Sequence, residues 1–267
     1  MKDQKYKIGV CQFQPKLFDI EHNLKKMEKM LSGIKADLIV LPELATCGYV
    51  FNRIEEVKKV SESAENGPTG KLFRELASDN NCSYVVGFAE IDDGKLFNSC
   101  MLINPDGNIF VYRKIHLFCE EKKWFEVGNL GFNVFNAKNG IKLGLMVCFD
   151  WIFPEAARSL SLKDAQIIAH PSNLVLPFCQ QAMITRSIEN QVFTITTNRT
   201  GLEKNGEKEL HFTGMSQVVS NKGELLKRLN EDEETIFITE IVPQFADNKN
   251  ITEWNNVITD RIPEYYG

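Results

Sequence analysis

Apolar residues dominate residues 7–14, and Ile8, Val10 and Phe13 interleaved with smaller or polar positions predict a first β-strand there. Residues 21–31 change period: Leu24, Met27 and Leu31 fall on one face of a helix. Residues 37–43 are a short apolar run, Leu38-Ile39-Val40-Leu41, closing in Pro42-Glu43, which predicts a buried strand with a carboxylate at its tip. Gly67-Pro68 then breaks the chain, and residues 69–80 place Leu72, Phe73 and Leu76 on the inner face of a second helix. Residues 83–90, 96–103 and 108–113 are β-rich, with Asp92-Asp93-Gly94 and Pro105-Asp106-Gly107 as the turns between them.

The second half repeats the alternation. Strands are predicted over residues 142–148, 166–170, 192–198, 214–220 and 234–241, with helices over 154–162 and 180–190 and a turn at Asn221-Lys222-Gly223. Pro154 suits the first turn of its helix, where no amide partner is lost. Two α–β layers of similar make-up predict an α/β fold in four layers, two sheets inside and helices outside. No Pro/Gly/Ser linker divides the chain, so residues 1–247 read as one domain. Residues 248–267 are a mixed polar segment that packs on the domain or on a partner subunit. Trp254, Ile258, Ile262, Tyr265 and Tyr266 make that segment too aromatic for a loose tail.

Composition narrows the class. The chain has 267 residues, 43% of them hydrophobic and 25% charged, which is ample for a sizeable core. The net charge of -5 and the lack of a basic block argue against nucleic-acid binding. The first seven residues are too charged for a signal peptide, and no apolar run is long enough to span a bilayer. Seven scattered cysteines without a C-x-x-C pair fit free thiols in a reducing cytoplasm, so a cytoplasmic location is expected.

Among those thiols Cys148 stands apart. It follows the apolar run 140–147 and precedes Phe149-Asp150-Trp151-Ile152-Phe153-Pro154, at a strand-to-helix turn. α/β enzymes place their chemistry at that sheet edge, and free backbone amides there stabilise anions. Read locally, Cys148 is either a nucleophile or a small buried core residue. A cysteine nucleophile needs a base and a partner for the oxyanion. Neither His22, His116, His170 nor His211 has the sequence context of a cysteine-protease base. Glu43, desolvated at its strand tip, is better placed as base. Lys114, between two apolar stretches, can neutralise a thiolate or hold an oxyanion. The pair His116-x-x-Cys119 has no second half, so no metal site is expected.

The segments Leu41-Pro42-Glu43, Tyr112-Arg113-Lys114-Ile115-His116 and Cys148-Phe149-Asp150 with Phe153-Pro154-Glu155 resemble, in order and spacing, the signatures of the nitrilase superfamily of carbon–nitrogen hydrolases. The resemblance extends over nearly the whole chain, and the shorter archaeal and bacterial members are the most similar. It implies an αββα sandwich pairing to αββα–αββα in a homodimer or larger assembly, and no metal or organic cofactor. It implies Cys148 as nucleophile, Glu43 as general base, and Lys114 with the backbone N–H of Phe149 as oxyanion partners. A further carboxylate falls on Glu121, with Glu120 the adjacent alternative. Tyr49, His116, Phe149, Trp151 and Asn173 are the candidates for contacting substrate; Tyr49 is also placed to orient Glu43, and His116 to serve a structural role instead.

In one respect the sequence departs from that pattern. Many amidase members carry Arg at the position of Ile152, and some carbamoyl-hydrolysing members also at Trp151. Both positions are apolar here, so this loop offers no bidentate anchor for a substrate carboxylate. A small neutral amide suits it better. The alternatives are a small nitrile, an N-carbamoyl compound, or a catalytically silent scaffold that kept the fold.

Overall fold

The computed structural model describes residues 4–266. The first sheet is built from β1 (Tyr6–Gln12), β2 (Leu38–Val40), β3 (Ser83–Asp92), β4 (Lys95–Ile103), β5 (Ile109–Arg113) and β14 (Thr235–Ile241). Its order is β14-β1-β2-β3-β4-β5; β1, β2 and β3 run parallel and the remaining neighbours antiparallel. The second sheet has β6 (Val134–Ala137), β7 (Ile141–Leu145), β8 (Ile167–Ser172), β9 (Phe193–Asn198), β12 (Gln217–Val219) and β13 (Leu225–Arg228), in the order β13-β12-β9-β8-β7-β6. Here β7, β8 and β9 form the parallel centre. A hairpin of β10 (Thr200–Asn205) and β11 (Lys208–Thr213) stands outside both sheets.

The two-residue period of the strands assigns each side chain to a layer. Ile8, Val10, Leu38, Val40 and Val85 face inward and share one core with Leu143, Leu145 and Ala169 of the second sheet. Cys11, Ile39, Tyr84 and Val86 face outward, where α1 (Ile20–Leu31) and α3 (Pro68–Asn80) cover them with Met27, Leu31, Phe73 and Leu76. On the far side α4 (Pro154–Ser161) and α5 (Cys179–Asn190) cover the second sheet. The predicted four-layer αββα sandwich is therefore the observed one.

Several expectations need correction. The strand before Cys148 ends its pairing at Leu145, and Cys148 opens a 3-10 turn over Cys148–Ile152. The helix α2 (Ile54–Val60), the edge strands β6 and β13 and the hairpin β10–β11 were not expected from periodicity. Ala156, Ala157 and Leu160 of α4 are wholly buried inside the subunit. Leu160 lies so close to Gly144 that a Cβ there would come within 2.9 Å of it. Trp254 and Tyr265 of the C-terminal segment are 84% and 81% exposed. That segment is nevertheless tied to the helical layer, because Arg158 of α4 donates to the carbonyl of Val257 at 3.2 Å.

Candidate active site

Parallel strands bring their carboxyl ends to one edge of a sheet. Glu43 follows β2, and Lys114 follows β5, which two antiparallel steps set in the direction of β3. Cys148 follows β7, and Asn173 follows β8. These strand ends converge. Lys114 Nζ donates to Glu43 Oε1 at 2.7 Å and to Glu121 Oε1 at 2.8 Å. Both Lys114 and Glu43 are fully buried, and Glu121 is 3% exposed. Asn98 of β4 donates a further bond to Glu43 Oε1 at 2.7 Å. The second oxygen, Glu43 Oε2, is buried with no partner. An unpaired buried acceptor is costly.

The backbone is shaped to deliver these groups. The chain at Glu43 crosses β3 at Gly87, where a Cβ would lie 2.5 Å from the Glu43 Cα and from the Pro42 carbonyl oxygen. Only glycine admits that crossing. Cys148 itself has φ of +43°, a left-handed conformation that strains a non-glycine residue by roughly 1–3 kcal/mol. Hydrogen bonds to Cys148 and to its neighbours brace the turn. His170 Nε2 lies 2.8 Å from the Cys148 carbonyl oxygen. Asp150 Oδ2 accepts from the Val147 amide at 2.8 Å and from the Tyr112 hydroxyl at 2.7 Å.

Burial and the neighbouring charges shift each of these groups. Burial raises the pKa of Glu43 above the ordinary carboxylate value, a shift that Lys114 opposes. Lys114 stays protonated: burial lowers its pKa, but Glu121 and Glu43 on either side outweigh it. The Cys148 thiol is held neutral, pushed well up by burial and by Glu43, while Lys114 and the Asn173 backbone counteract in part.

His170 is fully buried and its pKa is pushed down to about 4, chiefly by burial. It is therefore neutral near pH 7, and since a carbonyl only accepts, its Nε2 carries the proton. A depressed folded-state value means that its stabilising contribution is complete above the unfolded value of 6.5 and is lost as pH falls towards 4. The loss by pH 4 is expected to be about 3 kcal/mol. His170→Gln can still donate to the carbonyl but does not titrate. Urea unfolding at pH 7 and pH 4 should show a correspondingly smaller loss in the variant; equal losses would contradict the assignment.

The remaining sequence candidates divide. Asn173 is buried with neither amide atom partnered, and with Phe149 and Trp151 it lines a chamber of about 20 Å³ at Cys148. That volume admits about one water-sized group. Tyr49 orients Glu121 rather than Glu43, its hydroxyl donating to Glu121 Oε1 at 2.6 Å. It also lines a larger cavity of about 400 Å³ with Trp124 and Phe125, which meets the chamber at Phe118 and Val175. His116 lies elsewhere. Its Nδ1 is 2.7 Å from Asp150 Oδ1 and its ring stacks on Phe153 at 3.7 Å, on a hollow that Cys148 does not line. Glu120 lies apart from that bridge, half-exposed on the wall of the larger cavity and bonded to Lys123 and Lys208, each at 2.5 Å. Asn98, Asp150 and His170 complete the site, and the sequence reading assigned none of them. Asn98 reaches Glu43, His170 the Cys148 carbonyl and Asp150 the Tyr112 hydroxyl across the fold, which local spacing does not report.

With this geometry in place, the comparisons are direct. The carbon–nitrogen hydrolase family model matches residues 7–248. A nitrilase of Pyrococcus abyssi is 41% identical over 97% of this chain and 98% of its own. Among solved structures, a carbon–nitrogen hydrolase from Helicobacter pylori G27 is similar with a TM-score of 0.85 at 28% identity, covering 98% of this chain and 97% of that one. An amidase from Nesterenkonia sp. gives a TM-score of 0.78 at 25% identity, covering 93% and 94%. With its double-sheet fold and a match spanning almost its full length, this chain belongs to the carbon–nitrogen hydrolase family, the nitrilase superfamily.

Proposed function

We propose that this protein hydrolyses a small neutral amide to a carboxylic acid and ammonia, through a thioester on Cys148. One observation carries the reading: a buried lysine bridges two carboxylates beside a thiol, and one oxygen of Glu43 is left without a partner. Glu43 takes the Cys148 proton, and the sulfur attacks the amide carbon. Negative charge gathers on the substrate oxygen, where Lys114 and the Phe149 amide stabilise it. Glu43 returns the proton to the departing nitrogen, so ammonia leaves and the thioester remains. Glu43 then draws a proton from water, whose oxygen attacks the thioester and releases acid and thiol.

Cavity shape and charge support the substrate class. The adjoining cavity takes the body of a small substrate against Tyr49, Trp124 and Phe125, and the chamber at Cys148, with room for about one water-sized group, takes only its reacting end. Trp151 and Ile152 provide no cation for a substrate carboxylate. A small nitrile is the second reading, favoured by the P. abyssi relative that bears the name nitrilase. An ammonia-release screen across neutral amides, nitriles and N-carbamoyl compounds separates these readings. Fastest turnover of neutral amides is expected. Turnover of N-carbamoyl acids alone would overturn the substrate class, and no turnover of any compound would favour a silent scaffold.

Glu121 supports the site by holding Lys114. Glu121→Gln is expected to lower kcat by at least tenfold, while Glu120→Gln, which leaves the bridge to Lys114 intact, lowers it less. Equal losses in steady-state kinetics would refute this ranking.

We further propose self-association through the C-terminal segment, whose exposed Trp254, Ile262 and Tyr265 have no cover within the subunit. Deleting residues 251–267 should weaken the dimer and lower activity together. A full-length protein that is monomeric by light scattering at micromolar concentration and fully active would contradict it.

A further inference from the structure

Arg199 is the largest fully buried side chain of the protein and has no part in the mechanism above. It sits between β9 and the hairpin β10–β11. Its Nη1 donates to Glu203 Oε2 at 2.6 Å, its Nη2 reaches the Pro15 carbonyl at 3.4 Å, and its Nε has no partner. Its guanidinium lies over the Phe212 ring at 4.1 Å. A buried ion pair is weak evidence for stability, because desolvation offsets the attraction. The partner's second oxygen indicates a different use. Glu203 Oε1 accepts the backbone N–H groups of both Tyr49 and Val50, each at 2.7 Å.

That grip leads to the site. Gly48 has φ of +83°, and a Cβ on it would lie 2.6 Å from Glu203 Oε2, so the loop is built to receive this carboxylate closely. The Tyr49 ring packs edge-on against Phe212, the ring beneath Arg199. Its hydroxyl ends on Glu121, which ends on Lys114. The hairpin that carries Glu203 also supplies Lys208 and Leu210 to the wall of the larger cavity.

We propose that Arg199 and Glu203 are a positioning pair: they fix the backbone of Tyr49 so that its hydroxyl holds Glu121 against Lys114. Neither touches substrate. The inference rests on the proposed role of Lys114, yet one of its tests needs no substrate. Glu203→Gln keeps an oxygen for the two N–H groups but loses the charge that binds Arg199. Combined with Tyr49→Phe in a double-mutant cycle, it is read first as kcat for ammonia release from a neutral amide. The second reading is the pH dependence of Cys148 alkylation by iodoacetamide, followed on the Cys148 peptide because the exposed Cys119 is alkylated as well. The charged groups facing that thiol are Glu43, Lys114 and Glu121.

Each single variant is expected to lower kcat at least tenfold with a smaller change in KM, and to move the alkylation midpoint upward as Lys114 withdraws. The double variant should lose no more than about threefold beyond the worse single one, since both act through one contact. Where Glu203→Gln fails to fold, Arg199→Lys replaces it in the same cycle. Losses that multiply, or a lowered Tm with kcat and the alkylation midpoint unchanged, would overturn the proposal and leave the pair as packing. If the wild-type protein releases ammonia from nothing, the proposed function fails, and the alkylation cycle still decides the positioning role.

Discussion

Cys148→Ala is expected to abolish ammonia release, a loss on the order of 10⁴-fold or more, as for removal of the nucleophile from other catalytic triads. The fold should survive. The substitution removes one buried sulfur atom, and alanine bears the left-handed backbone at this position no worse than cysteine does. A stability loss of about 1 kcal/mol is typical of such a change. Cys148→Ser should be nearly as inactive despite its similar shape. A hydroxyl is a much poorer nucleophile than a thiolate, and Glu43 must then remove a far less acidic proton. Full activity in Cys148→Ala, at normal circular dichroism and Tm, would end the mechanism.

The second large effect belongs to the buried charges. Glu43→Gln keeps an acceptor for Lys114 but cannot take a proton, so a loss of about 10²- to 10⁴-fold in kcat is expected. Lys114→Ala should lose about 10²- to 10³-fold, the usual magnitude for a lost oxyanion partner. It should also destabilise the protein by roughly 3–5 kcal/mol, because Glu43 and Glu121 are left buried without a counter-charge. The rates must therefore be compared per folded molecule. In the double variant the losses should fall far short of multiplying, since the two groups act as a unit on the same step. Near-normal kcat in folded Lys114→Ala would move the oxyanion role elsewhere.

The legible parts of this fold are those whose information is local. Met27 and Leu31 on α1 and Phe73 and Leu76 on α3 announce their faces by spacing alone, and both helices form where expected. The tips at Glu43, Lys114 and Cys148 were legible because each closes an apolar run. The hairpin β10–β11 carries no apolar period, because Glu203-Lys204 and Glu207-Lys208-Glu209 interrupt it with charge, and Glu203 is buried only through its bonds to Arg199 and to the backbone at Tyr49 and Val50. Its two-residue turn, Gly206-Glu207, carries a usable signal in the glycine that follows Asn205. The partners Glu203 and Tyr49 lie 154 residues apart, and their contact follows only from the packed fold. The same holds for His170 on the Cys148 carbonyl. Tyr49 was assigned to Glu43 through sequence proximity, whereas the loop turns its hydroxyl to Glu121.

The central claim is a covalent thioester on one named sulfur. Its most direct test is acid quenching of the wild-type protein during turnover of a saturating amide, followed by peptide mass mapping. The account predicts the mass of the acyl group on the Cys148 peptide, lost on treatment with hydroxylamine. An acyl group on any other residue, or an unmodified Cys148 peptide in a protein whose Cys148→Ala variant still forms acid, would contradict it.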